Sequence, residues 1–285
     1  MRSSGHDRMT LAKADSVNES LWEGDALVWD RHWVPIFSLF AKQLALFSSP
    51  SPGDVILDVG TGSGLAVREL CKTRPSVGLV VGIDSSEEMI RLARRRAASA
   101  GLKNVKFLKM HAEELRFPDG FFDVVVSNCG IDFAGFSECV KEISRVLRPG
   151  GLFVFNDWNF IDVKPHRIFG EILERYKTAT PSPRLARERA AVATSIDANV
   201  QPQILPGFKK TSLVKRRHRV RLNSIEDFLR LRLSRSTIRR EMSEMTASNR
   251  RMFLRDLRPA LKQFVHDDAF IFDWPVFYIR ANKPR

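Results

Sequence analysis

Residues 55–70, VILDVGTGSGLAVREL, decide the fold. An apolar run, Val55–Val59, carries one aspartate, Asp58, and ends in three alternating glycines, Gly60, Gly62 and Gly64. Helix-forming residues follow as far as Thr73. A strand that turns on glycines into a helix lets backbone approach a ligand closely, because glycine has no Cβ and tolerates positive φ. The spacing here is G-x-G-x-G. A dinucleotide turn wants G-x-G-x-x-G.

Outward from this turn the same alternation repeats. Leu79–Ile83 reads as a strand and Ser86–Ser99 as a helix. Val105–Lys109 and Phe122–Ser127 read as strands, and Phe136–Leu147 as an amphipathic helix stopped by Arg148-Pro149-Gly150-Gly151. Leu152–Asn156 is a fifth strand. Strands alternating with helices predict an α/β fold: a Rossmann-like, doubly wound, mostly parallel seven-stranded sheet with helices on both faces. Upstream, residues 1–20 read as a frayed polar tail without a signal-type apolar stretch. Residues 21–48 have helical periodicity, with Pro35 opening or kinking a helix. Together, 21–157 form the expected core.

After Asp157 the pattern changes. Residues 158–285 read as a basic part with helical cap insertions at 158–206 and 224–265 and two last strands, Ser212–Leu222 and Phe270–Ala281. Pro275 predicts an edge or a bulge for the final strand. Residues 1–157 carry 19 Lys and Arg against 20 Asp and Glu, whereas 158–285 carry 27 against 13. The whole formal charge of +13 therefore comes from the C-terminal half, and such asymmetry points to an anionic partner or a solvated basic surface. The three cysteines have no metal-site or disulfide spacing, so no metal is expected and a reducing, cytoplasmic setting is. No apolar run approaches the roughly 20 residues of a membrane helix.

The second strand narrows the ligand. VVGID ends in Asp84, twenty residues past Gly64, where an acid can accept hydrogen bonds from both hydroxyls of a ribose. Asp58 sits where a carboxylate can reach a cationic amine in the turn, and the turn has no lysine for a triphosphate. A nucleoside joined to an amino acid, S-adenosylmethionine, suits that pair of acids better than a dinucleotide does.

DVGTGSG, GIDSSEEMIRLAR, FDVVVSN and ISRVLRPGGLFVF, in that order, resemble the successive motifs of class I S-adenosylmethionine-dependent methyltransferases. The small-molecule subgroup that includes quinone-biosynthesis enzymes is the nearest in pattern. The resemblance spans about residues 25–157. It implies that Asp58, Gly60, Thr61, Gly62 and the turn backbone face the methionine part of the cofactor. It places Asp84, with Ser85 and Met89 beside it, at the ribose, and His111-Ala112-Glu113 at the adenine. Asn128 would line the site between cofactor and acceptor. The family often has Asp where this chain has His111, which puts the adenine contact of that residue in question.

Methyl transfer is an in-line displacement in which the protein mainly positions the acceptor. A base is needed only if the acceptor must lose a proton. Candidates are His111, Asp132, Asp157, His166 and Tyr176, with His111 and Asp157 put forward as catalytic. Asp157-Trp-Asn-Phe160 would form part of an acceptor wall, and Trp29, Trp33 and Phe37 either a lid or core packing. Ser127-Asn-Cys-Gly130 is not the turn of an adenine-N methyltransferase, and Cys129 lacks the context of a cytosine-C5 nucleophile. The acceptor expected is a small molecule, hydrophobic or anionic. The alternatives are an RNA (tRNA or rRNA) bound by Lys209-Lys210, Lys215–Arg219 and Arg239-Arg240, where binding would fall steeply with salt, and a non-catalytic scaffold of the same fold.

Overall fold

The computed structural model describes residues 26–131, 135–158, 163–186, 189, 205 and 207–285. The tail expected at 1–20 lies outside them. Two helices, α1 (Ala26–His32) and α2 (Val34–Ser48), lead into β1 (Ile56–Val59), α3 (Leu65–Thr73), β2 (Val80–Asp84), α4 (Glu87–Ser99) and β3 (Val105–Lys109). Then come β4 (Phe122–Asn128), α5 (Phe136–Val146), β5 (Leu147–Trp158) and α6 (Lys164–Tyr176). The chain finishes with β6 (Lys209–Leu222), α7 (Ile225–Leu233), α8 (Ser236–Glu244), α9 (Ala247–Leu261), β7 (Val265–His266) and β8 (Ala269–Asn282).

The strands form one sheet in the order β3-β2-β1-β4-β5-β8-β6, with the two-residue β7 paired to β8. β1 to β5 are mutually parallel, and β8 runs antiparallel between β5 and β6. The seven-stranded, mostly parallel sheet expected from the sequence is present, with β7 as a short addition. Side chains alternate between its two faces. Ile56, Val80, Val124, Val126, Leu152 and Val154 enter one apolar cluster with α2, α3 and α4. Leu57, Val81, Val125, Phe153 and Phe155 enter the other with α5. Burying both faces explains why these strands read as continuous apolar runs.

Local signals set the helix starts. Ser86 Oγ accepts from the Met89 N–H at 3.3 Å to cap α4, and Glu87 and Glu88 occupy its positive end. Ser224 and Thr246 cap α7 and α9 in the same way. Pro35 stands in the first turn of α2, where its missing N–H costs nothing.

Three expectations change. β8 is an interior strand, not an edge. Pro275 faces Arg217 of β6, and the last described pair with β5 lies one residue away, at Val276. β5 runs on to Trp158 because β8 pairs with it that far, which puts Asp157 inside the strand and not past its end. The helical stretch 224–265 is three helices, broken at Ser234-Arg235 and at Met245-Thr246.

Candidate functional site

The glycine turn connects β1 to α3 at the C-terminal ends of the parallel strands. Gly60, Gly62 and Gly64 all have positive φ, 66°, 52° and 76°. At Gly60 the requirement is doubled, since a Cβ there would run into the carbonyl of Gly130, just past β4. At Gly62 a Cβ would meet nothing within 4 Å, so the turn is open on that side. Its N–H donates to Asp84 Oδ2 at 2.8 Å.

Asp58 is fully buried. Its Oδ2 accepts from Thr61 Oγ1 at 2.6 Å, and its Oδ1 has no hydrogen-bond partner among the described residues. Burial pushes this carboxyl up to about 7; the Thr61 hydroxyl opposes that shift and the nearby Asp84 charge adds to it. A buried carboxylate with one orphaned oxygen is costly unless a cation or donor completes it. Asp84, at the tip of β2, accepts from Gly62 N–H and, through Oδ1, from Ser86 N–H at 2.9 Å. Each oxygen keeps a second lone pair for a ligand hydroxyl. Burial raises this carboxyl too, with the two backbone N–H groups and the His111 charge holding it back.

A third element joins Asn128, expected at the site, to Asn156, which was not among the candidates. Asn128 at the tip of β4 pairs with Asn156 of β5. The buried Asn156 amide donates to Asn128 Oδ1 at 2.8 Å, and its carbonyl accepts from the Cys129 N–H at 2.8 Å. This bond holds Cys129 at φ 54°, a left-handed conformation that a non-glycine residue rarely adopts. Cys129 Sγ also lies 3.2 Å from Asn156 Oδ1. Burial, with the Asp157 charge, pushes its thiol well up. A protonated, bonded thiol is no nucleophile. An asparagine inside an apolar strand was the only sequence signal for Asn156.

Side-chain alternation puts Asp58, Asp84, Asn128 and Asn156 on the α2 face of the sheet. Asp157 belongs to the opposite face, in one row with Phe277 and Lys215. The structure therefore does not bring Asp157 together with the first group. His111, Ala112 and Glu113 follow β3 in a half-buried turn beside Asp84. The Met110 N–H donates to the Asp84 carbonyl, and the Glu113 carboxylate lies against Gly135. Ser85 is half-buried between Asp84 and the cap of α4. Met89 is buried in a small apolar cluster with Ala26, Leu92 and Trp29.

Other candidates lie elsewhere. His166 is a core residue 2.8 Å from Arg232 Nη1 and 4.7 Å from the Trp274 ring, and burial holds it well below the usual imidazole value. Tyr176 is tied to Asp256 of α9. Trp33 and Phe37 pack in the core, with Trp33 Nε1 donating to Ser234 Oγ at 2.6 Å, so they form no lid; Trp29 stacks on Trp33. Asp132, Asn159 and Phe160 lie outside the described residues.

Known proteins with this arrangement are numerous. The demethylmenaquinone methyltransferase of Thermus thermophilus is 39% identical over 142 residues, 49% of this chain and 58% of that one. The aklanonic acid methyltransferase DauC of a Streptomyces strain is 32% identical over 130 residues, 45% of this chain and 58% of its own. The chain spans about half the length of the curated relatives it matches. Among solved structures, the YcgJ protein of Bacillus subtilis superposes with a TM-score of 0.53 at 18% identity, covering 87% of this chain and 99% of that one. The phosphoethanolamine N-methyltransferase 2 of Haemonchus contortus, crystallised with phosphomonomethylethanolamine and S-adenosylhomocysteine, gives 0.52 at 15% identity, covering 95% and 60%. These two likenesses concern the fold. The family model described as a methyltransferase domain matches residues 50–203. With more than half of its length inside that match, the chain belongs to the methyltransferase-domain family, built on the class I, Rossmann-like plan.

Proposed function

We propose that this chain binds S-adenosylmethionine and transfers its methyl group to a small molecule of the quinone or polyketide kind. The orphaned Oδ1 of buried Asp58 carries the reading: beside an open glycine turn, it fits an ammonium group. When bound, the cofactor supplies an electrophilic methyl carbon on a sulfonium. Asp58 would hold the amino group of its methionine part, next to the backbone of Gly60, Thr61 and Gly62. Asp84 would accept from the ribose hydroxyls with its remaining lone pairs. His111, Ala112 and Glu113 would flank the adenine, with Ser85 and Met89 beside the ribose.

Asn128, held by Asn156, would separate cofactor from acceptor and keep the β4 tip from yielding as the acceptor approaches. Orientation of this kind is the main contribution a protein makes to a displacement. Where the acceptor carries a proton that must leave, His111 would be the imidazole that takes it; Asp157 faces the other side of the sheet and is not proposed as the base. The acceptor class is supported by the relatives named for demethylmenaquinone and aklanonic acid.

The test uses methyl-labelled cofactor, the purified chain and a host extract divided into RNA, protein, lipid and small-molecule fractions, with Asp84→Ala as control. Label entering the small-molecule or lipid fraction is the expected result. Label entering RNA would overturn the acceptor assignment, and absence of cofactor binding by calorimetry would overturn the whole reading.

A further inference from the structure

β6 is the edge of the sheet, and among the described residues its pairing with β8 outruns that of β5. The last described β5 residue, Trp158, is level with Val276 and Arg216; beyond it, Arg217–Leu222 stay paired with Phe270–Pro275 as a ribbon that β7 joins at Phe270. Six residues at about 3.3 Å each make that projection about 20 Å long. Because β6 is parallel to β5, the ribbon rises at the same end of the sheet as Asp58, Asp84 and Asn128.

Its two faces differ. Val220, Phe270, Phe272 and Trp274 are buried with Phe228 and Phe253 in the core under α7 and α9. On the other face, the successive β6 positions Leu213, Lys215, Arg217, Arg219 and Arg221 are all exposed. Lys215 lies over the Phe277 ring at 4.9 Å, and Arg219 pairs with Asp273 at 3.2 Å with both side chains still open to water. Four cations therefore stand in one column with about 6.8 Å between neighbours. Leu213, 44% exposed, sits at the foot of the column.

We propose that this ribbon face docks the protein on an anionic lipid bilayer. Three features favour a bilayer over a nucleic acid. The cations lie in a single row along one edge strand, whereas a nucleic-acid backbone is tracked by a charged groove. The one aromatic ring in the column, Phe277, lies under Lys215 and does not stand out as a stacking platform for bases. An exposed leucine among cations is the composition of an interfacial anchor, in which apolar contact and attraction to anionic lipid add. Edge strands also carry charge simply to prevent strand-to-strand association.

The experiment is co-sedimentation of the full chain with vesicles of phosphatidylcholine alone and of phosphatidylcholine mixed with phosphatidylglycerol. Binding to the mixed vesicles only, weakened by salt, is the expected result. Each cation removed should lower the partition by about five-fold, so the Arg217→Ala/Arg221→Ala double variant should lose about 25-fold. Both residues are exposed, and unchanged circular dichroism and cofactor affinity would show that the variant is folded. Leu213→Ser should weaken binding without changing its salt dependence. The Asp84→Ala protein should bind vesicles like the parent, so failure here is distinguishable from failure of the methyltransferase reading. No partition onto the mixed vesicles would overturn the proposal and leave edge protection as the purpose of the charge. Equal binding by the double variant, or preference for single-stranded RNA over the vesicles, would also overturn it.

Discussion

Between residues 56 and 158 the charges at the site are one buried carboxylate, Asp58, and one half-buried carboxylate, Asp84; between 209 and 222 they are exposed cations. Asp58 and Asp84 are few, desolvated and held in fixed positions by the Thr61 hydroxyl and by the Gly62 and Ser86 N–H groups. The β6 cations are many and exposed. The first arrangement suits one ligand in one pose. The second suits a surface that need only be negative. A buried charge acts through geometry and an exposed one through number, so substitutions in the two regions should differ in size and kind.

The largest effect should come from Gly60→Ala. The new Cβ meets backbone and not a flexible side chain, and φ is positive. A loss of about 3–5 kcal/mol should appear as a large fall in Tm, or as failure to fold. Asp58→Asn should separate binding from stability. It should cost about 2–5 kcal/mol of cofactor affinity in calorimetry. Yet the free protein should gain about 1–4 kcal/mol at pH 8. The sign follows from a carboxyl raised from 3.8 to about 7. Its favourable contribution is complete below 3.8 and is lost as pH rises through 7, so the ionised form opposes folding and a neutral amide does not.

Asp84→Ala should weaken cofactor binding by about 1–3 kcal/mol; an unchanged affinity would remove Asp84 from the site. For the parent protein, affinity should fall as pH drops from 7 toward 5, approaching about tenfold per pH unit, because Asp58 must ionise to hold a cation. A flat profile would mean that Asp58 is not the ammonium partner. At the small end, Asp273→Asn breaks an exposed pair and should change stability by about 0.5 kcal/mol or less.

The two regions were also unequally legible. The core strands followed from local pattern, because apolar runs buried on both faces and glycine turns leave their mark within a few residues. The carboxylates at Asp58 and Asp84 could be read for the same reason, each standing at a strand tip. Asn156 could not, since its role depends on β4 and β5 being neighbours and on the turn at Cys129. The same holds for Trp33, whose bond to Ser234 spans 201 positions. Pro275 misled because it reports only its own missing N–H, whereas the place of β8 between β5 and β6 is set by pairing with residues far away in the chain. The column of cations on β6 was visible as a basic run, but which face they shared required the register with β8.

The position of β8 bears on the order in which the molecule can be made. Residues 269–282 leave the ribosome after everything they hold together, yet they lie between β5 and β6. Until they arrive, β5 has an open edge and β6 has nothing to pair with. The hydroxyl of Tyr278 also cannot reach His218 or the carbonyl of Phe40. The glycine turn and its two acids can form early and wait. The sheet that supports Asn156, and the ribbon above it, are completed late and together, so a nascent chain could hold its cofactor before it can present the basic face.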